Sequence, residues 1–232
     1  MIILLRGHIR NSFQTNELYE LIHSLSKNIN VKIYIHTWHI LQSNISWREI
    51  PINNTEITEE YIYSYFKELK HLIKKILIED DKNIQLVGNT KGNIGEGPAP
   101  LIGWKNYWYG QYKLISYLKS HTDIELEKNE AVVNMRFDLF SNFNAFCYHN
   151  FNGLPISEVR DFIEKNKEFN SNKNIFMKDQ PSFGIDNIYI GNISTIHKLV
   201  SHFHYFLDNI FNKYTTVHHQ EFLVFLENDS IF

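Results

Sequence analysis

The first forty residues switch between two periodicities, and that switch narrows the fold more than any other feature. Ile2–Leu5 is an unbroken apolar run followed by a glycine-containing turn, the pattern of a strand covered on both faces. Leu18, Leu21, Ile22 and Leu25 then recur at helical spacing. Val31, Ile33 and Ile35 alternate with Lys32, Tyr34 and His36, a period of two. Strand, helix and strand in that order favour a parallel pair joined by a crossover.

The rest of the chain extends the pattern. Residues 40–57 carry many Ser and Asn residues with Pro51 and read as loop. Ile62, Phe66, Leu69, Ile73 and Ile76 step by four and three, which predicts a helix with Thr58 as its cap. Ile84, Leu86 and Val87 are expected to form the third strand. Residues 88–103 hold five of the ten glycines and two prolines, so no regular element is expected there. That stretch suits a surface loop or a lid. It lacks the Gly-Lys-Ser/Thr ending of a phosphate-binding P-loop.

Trp104, Trp108, Gln111, Ile115 and Leu118 predict another helix. Ala131–Met135 reads as a strand that runs straight into Arg136-Phe137-Asp138. Further strands are expected near 143–148, 173–179 and 187–191, and helices over about 157–169, 193–211 and 217–227. No repeat or linker divides the sequence, so residues 1–232 are expected to form one domain. The expected class is α/β, a mostly parallel central sheet flanked by helices.

Composition removes several alternatives. The net charge of −3 argues against a broad grip on nucleic acid. The lone cysteine, Cys147, has no internal partner, which suits a reducing, cytoplasmic setting. The opening MIILL is far shorter than the ~20 residues of a membrane span. Its basic residues follow the apolar run, the reverse of a secretory signal.

Ligands of open α/β sheets bind outside the carboxyl ends of the strands. Arg6–Arg10, His36–His39 and Arg136–Asp138 are all expected at that edge. Arg136 and Asp138 lie two apart, so an extended backbone points both to one side. The carboxylate can hold Mg²⁺ or Mn²⁺, and the guanidinium can grip a diphosphate oxygen. The same spacing also suits a plain Arg–Asp surface pair. Gly7 permits close approach of backbone to a ligand, and His8 or Arg10 can meet a phosphate or a base. Asp186, in a polar turn before a strand, and Glu221, after His218 and His219, are candidate bases or sugar ligands. Cys147 lies in an apolar setting and reads as an inert thiol.

In this order the segments resemble a group of bacterial glycosyltransferases with a GT-A-like, Rossmann-like fold from capsule and lipopolysaccharide gene clusters. Three stretches carry the resemblance: Ile2 to Arg10, Trp104 to Leu118 followed by Val132 to Leu139, and Asp186 to Gly191 followed by a helix and Glu221. The resemblance implies a UDP-, GDP- or CDP-linked sugar donor near Gly7, His8, Arg10 and Arg136, and a glycan acceptor. Asp138 matches the last carboxylate of the Asp-x-Asp metal motif, with Mn²⁺ or Mg²⁺ implied. Arg136 replaces the first carboxylate, so it can take over part of the neutralisation. Asp186 and Glu221 match later acidic positions near the sugar or acceptor. Peripheral association with assembly machinery of the inner membrane also fits. A capsule phosphotransferase, or a non-catalytic glycan-binding or scaffold domain, remains an alternative.

Overall fold

The computed structural model describes residues 1–46, 49–95, 97–123, 129–140, 155–180, 183–215 and 220–232. The expected strand 143–148, Cys147, His218 and His219 lie outside the described residues.

Strand β1 (Ile2–Arg6) is at the centre of a six-stranded sheet. It is flanked by β2 (Lys32–Trp38) and β6 (Val132–Arg136), both parallel to it. β5 (Ile73–Glu79) extends the sheet beyond β2, also in parallel. On the other side β8 (Phe183–Gly191) runs antiparallel to β6 and pairs with β7 (Ile175–Gln180). A small antiparallel pair, β3 (Ile40–Gln42) and β4 (Asn53–Glu56), stands apart from this sheet. The mostly parallel α/β class expected from the sequence is the one observed.

Alternation along β1 divides the core in two. Ile3 and Leu5 enter a cluster with Leu21 of α1 (Glu17–Ser26), Phe66 of α2 (Glu59–Phe66) and Ile163 of α4 (Ile156–Lys165). Ile2 and Leu4 enter the opposite cluster. There they join Trp108 of α3 (Leu101–Ser120), Phe203 of α5 (Ile193–Lys213) and Val224 of α6 (Gln220–Ile231). Every residue of β1 is buried, and each buried Ile or Leu contributes roughly 1.5–3 kcal/mol relative to exposure. The same parity turns Arg6 toward the α3 face.

Two expectations fail between residues 40 and 87. The apolar series Ile62 to Ile76 is not one helix. Thr58 does cap α2, its hydroxyl accepting from the Tyr61 amide at 3.1 Å. The helix stops at Lys67, whose φ of +51° is left-handed, and a 3₁₀ turn leads into β5. Pairing of Ile73–Glu79 with β2 outweighs the helical spacing, because it satisfies a whole row of backbone groups along the β2 edge. The third strand is therefore β5, and residues 84–87 form none. The region read as loop contains β3 and β4.

Candidate functional site

The register places three chemistry-bearing residues in one row. Arg6, the last residue of β1, is directly opposite His36 of β2 and Arg136 of β6. Adjacent strands are about 4.8 Å apart, so this row crosses the carboxyl edge of the sheet within two strand spacings. It forms one wall of a cleft. Trp104, Tyr107 and Gly110 of α3 form another, and Ala99 and Pro100, at the end of the glycine-rich segment, border it.

After Arg6 the chain turns sharply. Gly7 has φ +94°, and no other group lies within 4 Å of where a Cβ would stand. Its amide donates to the His36 carbonyl at 3.2 Å, and its carbonyl accepts from the Thr37 hydroxyl at 3.0 Å. The turn is thereby tied to the end of β2. Arg10 also adopts left-handed backbone, φ +52°. A non-glycine residue there costs roughly 1–2 kcal/mol, and such strain concentrates at ligand sites. Its amide donates to the Leu41 carbonyl at 3.0 Å.

Arg10 and Arg136 converge on Asp138. Arg136 Nε donates to Asp138 Oδ1 at 2.8 Å and Nη2 to Oδ2 at 2.7 Å, a bidentate pair. Arg10 Nη1 donates to the same Oδ2 at 2.7 Å, and Arg136 Nη1 to Asn187 Oδ1 at 3.0 Å. Burial alone would raise the Asp138 pKa, but the two guanidiniums outweigh it and hold the carboxyl at about 2. Asp138 stands behind the arginines, 3% exposed, and does not itself line the cleft. The metal role expected for it does not fit. Both oxygens already accept from cations, and a divalent ion there would face two positive groups at contact distance. Nor is the pair a surface one, since it is buried against the strand ends.

Arg6 is the residue that sequence reasoning missed. It is 2% exposed and lines the cleft. Nε donates to Asn134 Oδ1 at 2.6 Å and Nη2 to the Asp186 carbonyl at 2.8 Å. Nη1 is buried without a partner among the described residues. The guanidinium stands 4.4 Å from the ring centre of Tyr107, whose hydroxyl donates to the same Asp186 carbonyl at 2.8 Å. Its position as the last residue of a central strand was the signal for it. The run Arg6 to Arg10 read instead as a basic turn.

His8, Gly7, Arg10 and Arg136 all border the cleft. Burial, then the Arg10 charge, lowers the His8 pKa to about 3, and its Nδ1 is 3.3 Å from the Ile40 carbonyl. Asp186 is buried, its carbonyl held by Arg6 and Tyr107, and it does not itself line the cleft. Its carboxylate has no hydrogen-bond partner among the described residues. Glu221 falls in α6, but its side chain lies outside the described residues.

At the ends of β2 and β5, His39, Asp80 and Asp81 form the one group among the described residues whose ligand atoms lie within 4.8 Å of one another. They fit a cation in number and chemistry. Among the described residues no helix is long and apolar enough to cross a membrane.

Fold and site together define an α/β protein with a cationic cleft at the carboxyl edge of a mostly parallel sheet. No family model and no curated protein matches the chain. A solved structure of an active-site mutant of LgtC, a GT-A-type glycosyltransferase, is similar at 9% identity and a TM-score of 0.43. The match covers 98% of this chain and 69% of that one.

Proposed function

We propose that the chain is a single-domain, GT-A-like glycosyltransferase, moving a sugar from a nucleoside-diphosphate donor to a glycan acceptor. One observation supports this most. Arg6, Arg10 and Arg136 line one cleft, and Asp138 is the only carboxylate any of them binds among the described residues. The excess positive charge suits a diphosphate, whose charge grows as it departs. Gly7 lets the phosphates approach backbone, and Trp38 and Tyr107 offer flat faces to base or sugar.

In the reaction the acceptor oxygen bonds to the anomeric carbon and loses its proton. The bond from that carbon to the diphosphate breaks, and its electron pair leaves on the phosphate oxygen. Asp186, with its unpartnered carboxylate, is the proposed proton acceptor, and Glu221 a proposed sugar or acceptor ligand. A Mg²⁺ or Mn²⁺ ion would find its ligands in His39, Asp80 and Asp81 rather than in Asp138. From the family resemblance, the acceptor is a capsule or lipopolysaccharide glycan. The same resemblance supports action in the cytoplasm beside inner-membrane assembly machinery.

A thermal-shift series with UDP, GDP, CDP and their sugars tests this. The matching nucleotide, at about one hundred times its Kd, should stabilise the fold by about 2.7 kcal/mol. A shift with glycan alone would identify a binding module, and a product that retains phosphate a phosphotransferase. Asp186→Asn should abolish transfer and leave the nucleotide shift in place. Full transfer by that variant would remove Asp186 from the role.

A further inference from the structure

We infer that Arg6, rather than a divalent cation held by Asp138, receives the charge of the departing diphosphate. This rests on the donor reading above.

Among the described residues every hydrogen-bond partner of Arg6 is neutral. Asn134, which takes Nε, is itself held at 3.1 Å by Gln111 Oε1 and at 2.9 Å by the Tyr189 hydroxyl. That hydroxyl also donates to Gln111 Oε1 at 2.7 Å. Gln111, Asn134 and Tyr189 are each no more than 1% exposed. The network therefore fixes the guanidinium in one orientation without cancelling its charge. No ion pair compensates Arg6 among the described residues, whereas Arg10 and Arg136 share Asp138.

A buried, unpaired cation is costly, and it persists when something outside the fold supplies the counter-charge. Arg6 lines the cleft, and its buried Nη1 is the donor left without a partner among the described residues. An incoming phosphate oxygen would complete it with a charge-assisted hydrogen bond. Because the neighbours are already ordered, the charge is in place before the bond to the anomeric carbon breaks. Asp138 plays a different part. It spaces Arg10 and Arg136 along the cleft, and its full set of cationic partners leaves no room for a metal.

Calorimetry on the full chain tests this with UDP, GDP, CDP and inorganic pyrophosphate, each in EDTA and in Mn²⁺. The expected result is binding of a nucleoside diphosphate and of pyrophosphate in EDTA, with little gain from Mn²⁺. Arg6→Gln should weaken both roughly 10- to 100-fold, the loss of one charged hydrogen bond with its charge. It should leave binding of the parent nucleoside unchanged. Arg6→Lys should recover part of the loss, and it keeps the test open if the glutamine variant does not fold. Binding that requires Mn²⁺ and disappears in Asp138→Asn would overturn the inference and leave the donor reading intact. Unchanged affinity in folded Arg6→Gln would do the same. Failure of every nucleotide and of pyrophosphate to bind the unmodified protein would overturn both.

Discussion

Arg6 and Glu227 are equally buried, each 2% exposed, and the protein treats them in opposite ways. Glu227, on α6, accepts from Lys213 Nζ at 2.7 Å and from His202 Nε2, both on α5. Burial alone would raise its pKa, but hydrogen bonds from Lys213, Tyr214 and His202 outweigh that and lower it. Its partners remain partly exposed, so Lys213 cancels the charge without being stranded itself. Arg6 has a neutral scaffold and, among the described residues, a buried donor without a partner. The contrast separates two uses of a buried charge. A charge whose partners lie within the fold is a clamp between helices. A charge oriented but not neutralised is a place for a ligand.

That contrast can be broken by a crossed experiment. Arg6→Gln should weaken nucleoside-diphosphate binding roughly 10- to 100-fold, with a smaller change in unfolding free energy. Glu227→Gln should do the reverse. It should lower unfolding free energy by about 1–3 kcal/mol, the range for a lost charged hydrogen bond, and leave affinity unchanged. Urea denaturation and calorimetry on the same two proteins decide it. If both variants lose stability alike and neither loses affinity, Arg6 is a clamp as well.

Much of the fold is legible in the sequence. Unbroken apolar runs and strict alternation marked β1, β2 and β6, because strands covered on both faces leave few places for polar residues. Helical spacing marked α1, α3 and α5 for the same reason. The misreading between 62 and 87 has a physical source. β5 is an edge strand carrying Lys74 and Lys75, so it shows no clean alternation, and its isoleucines happen to continue the rhythm of α2. What separates them is the left-handed turn at Lys67 and the backbone row offered by β2. Neither is a local property of the sequence. The site was half legible. Arg10, Arg136 and Asp138 stood out as charges next to strand ends, but their mutual saturation depends on a 128-residue separation between Arg10 and Asp138. Arg6 was hidden because its significance is an absence, the lack among the described residues of a carboxylate bonded to a buried cation.

The smallest expected effect sharpens the comparison through pH. His8 shares the cleft with Arg6, and burial, then the Arg10 charge, lowers its pKa more than Asp138 raises it. Its pKa in the folded protein is about 3, against about 6.5 in the unfolded chain. A depressed pKa means that the unfolded chain binds the extra proton first. His8 therefore supports the fold fully above pH 6.5, and that support is lost as pH falls from 6.5 toward 3. Within this window the slope is about 1.4 kcal/mol per pH unit for one such group. At pH 5.5 the loss from His8 relative to pH 7.5 should be about 1.4 kcal/mol. His204, lowered to about 4 mainly by burial, adds a similar slope, so the difference between the unmodified protein and His8→Gln isolates the cleft residue. That difference should shrink when a nucleoside diphosphate is bound, because the added negative charge favours protonated His8 and makes binding take up a proton at pH 5.5. Chemical denaturation at pH 7.5 and 5.5, with and without ligand, measures both. Equal slopes in the two proteins would mean that His8 does not feel the positive charge gathered at this edge of the sheet. An equal difference with and without ligand would put the anion elsewhere.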